Sequence, residues 1–189
     1  MSIAMQRFAR LDLQRLPSPC FVVDEVALEE NLRILQRVQQ QSGARILLAL
    51  KAFSMFSMAP LIDRYLAGTC ASGLHEARLG HEEFAGEVHT FCAAYTEQDL
   101  RAVLEISDHV VFNSINQLEQ FRTLIDAARA ARPGLAIGLR VNPEHSEGAV
   151  PLYDPCAPGS RPGITRAAFR EGGLEGVSGG ALHTHVTLT

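Results

Sequence analysis

The sequence predicts an α/β protein built on a parallel sheet, and three observations carry that reading. Short apolar runs of strand length alternate with segments whose apolar residues recur at helical spacing, at roughly 20–25 residues per unit. Polar and reactive residue types fall just past the apolar runs, whose interiors stay apolar. No GxGxxG follows any run, which disfavours a dinucleotide-binding fold, and no internal repeat appears. β-α-β units imply right-handed crossovers. Strand spacing by itself leaves a closed barrel and an open doubly wound sheet equally open.

Composition sets the class. The 189 residues are 47% hydrophobic and 20% charged, which are globular values. A net charge of −4 with scattered Lys and Arg offers no basic stripe for nucleic acid. The aliphatic runs are far shorter than the roughly 20 residues of a membrane span, and Met1 to Arg10 has no apolar signal-like region. Cys20, Cys70, Cys92 and Cys156 lie far apart without a CxxC pair. They read as reduced thiols of a cytoplasmic protein rather than a zinc site.

Residues 1–16 have weak periodicity and read as a leader onto one domain spanning 17–189. Pro17-Ser18-Pro19 signals a turn, and Cys20-Phe21-Val22-Val23 reads as a short apolar strand. Asp24 caps a helix with Leu28, Leu32 and Leu35 on one face, ending near Ser42-Gly43. Residues 45–51 read as a strand buried on both faces and ending in Lys51. Ser57 starts a short helix that tolerates Pro60 in its first turn.

The alternation then repeats. Thr69 to Ser72 is a small-residue strand, Leu74 to Phe84 a helix and Val88 to Ala93 a strand. Thr96 caps a helix with Leu100, Val103 and Leu104 on one face, and Val110 to Phe112 is a strand. Ser114 with Gln117 makes a capping box ahead of a stripe of Leu118, Phe121, Leu124 and Ile125. Pro133-Gly134 ends that helix. Residues 136–141 form a strand, 142–161 a loop, 165–171 a weak helix and 181–186 a last strand.

The candidate site residues sit at strand ends. An amine at Lys51, walled by apolar side chains, would have its charged form disfavoured and could act as a Schiff-base nucleophile. Taken alone, the stretch favours a plainer reading, a strand terminator that snorkels its ammonium to water. Ser114 and Asn113 are explained as helix caps, and Ser72-Gly73 as a tight turn. Arg140, after Ile137-Gly138-Leu139, stands at a position expected to be buried, where a guanidinium calls for an anion. His183 and His185 share one strand face, which suits a metal or a cofactor ring. Metal is disfavoured for want of further ligands nearby, and no metal site is assigned.

Taken together, these segments resemble the fold-type III pyridoxal-phosphate decarboxylases, the group acting on ornithine, diaminopimelate and carboxynorspermidine. The resemblance runs in order through residues 17–24, Leu48-Ala49-Leu50-Lys51-Ala52-Phe53-Ser54 and Gly68-Thr69-Cys70-Ala71-Ser72-Gly73-Leu74-His75-Glu76. It continues through Val111-Phe112-Asn113-Ser114, Leu139-Arg140-Val141-Asn142-Pro143 and residues 153–161. Thr69, where sister families carry an acid, draws it toward the carboxynorspermidine (carboxyspermidine) branch.

The resemblance implies an incomplete (β/α)8 barrel of about six strands, without the family's C-terminal β domain. It implies pyridoxal 5'-phosphate as cofactor, Lys51 as the lysine that carries it, Arg140 near it and His185 packing on its ring. The substrate implied is a small carboxylated polyamine, with no nucleic acid or membrane partner, a homodimer for the full-length family and a cytoplasmic location. As an N-terminal piece with open sheet edges, the chain is expected to be inactive and poorly stable alone. A diaminopimelate- or ornithine-type decarboxylase and a non-catalytic regulatory partner of the same fold are the alternatives. A racemase is disfavoured, because the tyrosine and glycines usual after its lysine are missing.

Overall fold

A computed structural model describes residues 8–9, 11–146, 154–172 and 181–184. Six strands, β1 (Leu47–Ala49), β2 (Gly68–Ala71), β3 (Glu87–Phe91), β4 (His109–Phe112), β5 (Ala136–Val141) and β6 (Ala181–Thr184), form one sheet in chain order. Every neighbouring pair is parallel. Parallel neighbours need crossovers. They are supplied by α2 (Ala59–Ile62), α3 (Leu74–Glu83), α4 (Glu97–Ile106), the pair α5 (Ile115–Gln120) and α6 (Arg122–Ala131), and α7 (Arg166–Gly172). The helix α1 (Glu25–Ser42) precedes β1. This is the β/α progression of a TIM-type barrel over its first six strands.

Register divides the sheet into two faces. Thr69 pairs with Val88, Thr90 with Val110, and Val110 and Phe112 with Ile137 and Leu139. All of these are buried. Leu100, Val103 and Leu104 of α4 and Leu118 and Ile125 of α5 and α6 pack in the same cluster as Val110, Phe112, Ile137 and Leu139. That face is the core. A second cluster joins Leu32 of α1 to Leu50, Ile62 and Phe84. The opposite face carries Cys70, His89, Phe91, His109 and Arg140, which the strand period of two places together.

Local chemistry sets the helix ends. Asp24, Thr96 and Ser114 each accept a backbone amide three residues on, from Ala27, Asp99 and Gln117, at 3.0, 3.1 and 3.2 Å. Each such cap is worth about 1 kcal/mol. Gly43 closes α1 in the left-handed conformation at φ 73°. Arg132 donates to the Leu104 and Ser107 carbonyls at 2.7 and 3.0 Å, satisfying the end of α4.

Three expectations are corrected. Residues 20–23 form no strand, and Phe21 is 92% exposed; the run pairs with none of the six strands, and the outer edge of β1 carries no neighbour among the described residues. The 45–51 strand shrinks to Leu47–Ala49, because the chain turns there, with Ala52 and Phe53 amides both donating to the Ala49 carbonyl. Leu50 is buried and Lys51 lies in the turn rather than on the strand. The helix after Ser114 breaks at Phe121, which keeps Leu118, Phe121 and Ile125 all buried. Among the described residues no helix is long and apolar enough to cross a membrane.

Two substitutions test this packing. Phe112→Ala removes a fully buried side chain and is expected to cost about 3–5 kcal/mol in urea unfolding. Gly86 has φ 87°, and a Cβ there would sit 2.4 Å from the Ala67 carbonyl oxygen. Gly86→Ala is therefore expected to destabilise by more than about 1 kcal/mol in the same assay.

Candidate active site

The turn after β1 delivers Lys51 to the C-terminal end of the sheet. Cys70 is the register partner of Ala49, two residues before Lys51. Burial raises the Cys70 thiol above its ordinary range, while the Lys51 ammonium opposes that rise and the Glu76 carboxylate adds to it. Lys51, Cys70 and Glu76 therefore share one neighbourhood. Glu76, in the first turn of α3, is held there by accepting the Ser72 amide at 2.7 Å.

Arg140 sits near the C-terminal end of β5 on the same face as Cys70. Its guanidinium lies 4.6 Å from the Phe91 ring centroid, reaching across β4 to β3. The residue is only 9% exposed, and among the described residues no carboxylate pairs with it. Burial lowers its affinity for the proton, and the Cys156 thiol nearby works the other way. A guanidinium resting on an aromatic face with no carboxylate beside it among the described residues has the chemistry to attract an anion.

The loop after β5 folds back over these strand ends. The Asn142 amide donates to the Ile164 carbonyl at 2.9 Å and the Ile164 amide to the Arg140 carbonyl at 2.8 Å. Asn113, after β4, donates to the Arg161 carbonyl at 3.1 Å and accepts the Gly163 amide at 2.7 Å. Ser114 caps α5 as expected, but Asn113 ties β4 to the loop and is no cap. The loop and α5 bound a cleft of about 470 Å³ that includes Asn113, Asn116, Arg161 and Thr165.

Of the residues expected at the site, the structure places Lys51 and Arg140 at the C-terminal end of the sheet, separated by β2, β3 and β4. His185 lies outside the described residues, and of His183 only the strand position opposite Arg140 is described. Thr69 faces the helices, beneath Gly80. Phe91 and Glu76 were missed by sequence reasoning. An acid in the first turn after the second strand was the available signal for Glu76. A stronger signal lies in the composition: Lys51 is the only lysine, set against sixteen arginines. Arginine supplies charge but no nucleophilic amine, so a lone lysine at a strand end points to amine chemistry.

No family profile matches the chain. Over 172 residues it is 41% identical to the carboxyaminopropylagmatine decarboxylase of Synechocystis sp., covering 90% of this chain and 43% of that protein. Carboxynorspermidine/carboxyspermidine decarboxylases of Herminiimonas arsenicoxydans and Campylobacter jejuni are 34% and 33% identical, over 90% and 91% of this chain. Along nine-tenths of its length the chain is therefore similar to decarboxylases of carboxylated polyamines. It spans less than half the length of these relatives, 45% and 43% of the latter two.

The solved structure of the carboxynorspermidine decarboxylase from Campylobacter jejuni, complexed with norspermidine, superposes with a TM-score of 0.73 at 30% identity. It is covered over 41% of its length by 90% of this chain. A diaminopimelate decarboxylase from Helicobacter pylori gives a TM-score of 0.70 at 16% identity, a likeness of fold alone. Both likenesses support the partial β/α barrel as the fold of this chain.

The Cys70 environment can be checked directly. Cys70 is expected to alkylate more slowly than the exposed Cys20, with a rate still climbing above the ordinary thiol range because burial raises its pKa. Lys51→Met removes the charge that favours the thiolate, so the Cys70 rate at fixed pH is expected to fall further. Peptide-resolved iodoacetamide labelling reads both.

Proposed function

We propose that this chain supplies the lysine-bearing side of a pyridoxal 5'-phosphate-dependent decarboxylase acting on a carboxylated polyamine. Carboxynorspermidine or carboxyspermidine would yield norspermidine or spermidine and CO2. The observation that carries the reading is the lone lysine, placed after the first strand of a barrel progression shared along nine-tenths of the chain with decarboxylases of such substrates.

The residues present fit the cofactor. Lys51 offers the sole side-chain amine, and Arg140 offers a buried cation without a carboxylate partner among the described residues. When bound, the cofactor's ring takes up the electron pair left as the carboxylate departs. The chain's own residues hold and orient. Lys51 anchors the cofactor through its amine, and Arg140 attracts an anionic group while Phe91 fixes its plane. Glu76, fixed by the Ser72 amide, places a negative charge beside Lys51 and Cys70 and favours a cationic partner there. His185 belongs to this reading as the ring-packing residue on the resemblance alone. A barrel domain over 17–189, a homodimer and a cytoplasmic location accompany it on the same ground.

The 41% identity to a carboxyaminopropylagmatine decarboxylase favours a second substrate of the same class, with a guanidinium in place of an amine. Mass spectrometry of product formed from each of the three carboxylated compounds, with diaminopimelate and ornithine as comparators, separates these readings.

The decisive experiment is trapping. After incubation with pyridoxal 5'-phosphate and borohydride, the phosphopyridoxyl mass is expected on the Lys51 peptide at about one per chain. Lys51→Arg, which keeps the charge, is expected to lose the label. Labelling confined to the N-terminal amine would overturn the reading.

A further inference from the structure

A second cluster of chemistry-bearing side chains occupies the N-terminal half of the same sheet face, and the decarboxylase reading makes no use of it. Glu87 opens β3, and His89, two residues on, projects to the same face. His109 opens β4 and is the register partner of His89. The two imidazoles stack with ring centroids 3.9 Å apart and planes 24° apart. His89 Nε2 lies 3.0 Å from Glu87 Oε2. One ligand atom from each residue falls within 4.8 Å of the other two, and all three side chains are half-buried.

We propose that Glu87, His89 and His109 bind one divalent transition-metal ion, zinc in the first instance. Two imidazoles and one carboxylate are a borderline donor set, suited to zinc and its neighbours rather than to calcium or magnesium. The arrangement follows from the fold: an i, i+2 pair on one parallel strand plus the register partner of its second member presents three ligands to one point. The carboxylate is also oriented from outside the cluster. Arg45 Nη1 lies 2.9 Å from Glu87 Oε1, which leaves Oε2 turned toward His89. Such outer contacts fix ligand geometry in metal sites.

The plain alternative is a packing pair of histidines hydrogen-bonded to an acid. A packing pair gains nothing from a cation, whereas a three-ligand site leaves a fourth position to water and ties β3 to β4. The ion would sit two strand positions from Phe91, toward the N-terminal end of the sheet and away from Lys51. A structural role is the one this placement supports.

The test uses the full chain stripped with EDTA and titrated with Zn2+ against a chromophoric chelator at neutral pH. One equivalent is expected to bind, and His89→Ala and His109→Ala are each expected to abolish that step. Arg45→Ala is expected to weaken binding about ten-fold. The chain has five other histidines and four cysteines, so binding that survives in both histidine variants overturns the assignment, as does the absence of a stoichiometric step. Should the variants fail to fold, Co2+ added to the unmodified chain decides. Visible d–d bands of a four-coordinate ion without thiolate charge transfer are expected, and a thiolate band moves the ion to the cysteines and overturns the proposal.

Discussion

Parallel register is the constraint from which the remaining features follow. Each strand is fixed against the next by ladder hydrogen bonds, and a slip of one residue would exchange its two faces. With Cys70, His89, His109 and Ala136 in line, Thr69, Val88, Val110 and Ile137 fall within one position of them on the other side. The second row is buried, largely against helices, and supplies the apolar area that holds the domain together. The first row is left for chemistry. One geometric fact therefore separates the core face from the opposite face, which carries one group of reactive side chains toward each end of the strands.

Electrostatics at the C-terminal end are set by placement more than by residue type. Arg140 is held where water is scarce, and no carboxylate meets it among the described residues. Phe91, one strand beyond β4, gives the guanidinium a flat surface that does not neutralise it. Glu76 and Lys51 act on Cys70 in opposite directions. Their mutual proximity is created by the turn that ends β1 early and by the Ser72 amide that holds the Glu76 carboxylate.

Much of the fold was legible because the local rules agreed with one another. Asp24, Thr96 and Ser114 mark helix starts through a mechanism that acts within three residues. The stripe of Leu100, Val103 and Leu104 is buried as its period requires. The apolar run at 20–23 misled for the converse reason: strand formation needs a partner, and an apolar run does not say whether one will arrive. The end of β1 was misplaced because the turn that exposes Lys51 consists of apolar Leu50 and Ala52 around it, which carry no turn signal.

What the sequence determined by itself was the alternation, the caps, the identity of Lys51 and Arg140 as unusual residues at strand ends, and the family resemblance that joined them. These are properties of neighbours in the chain or of composition. Only the tertiary structure decided that Arg140 rests on Phe91, that Asn113 binds the loop at 161–163, and that Glu87, His89 and His109 converge. Apart from the Glu87–His89 pair, those contacts join residues twenty or more positions apart, and they depend on register between strands, which no local pattern of amino acids encodes.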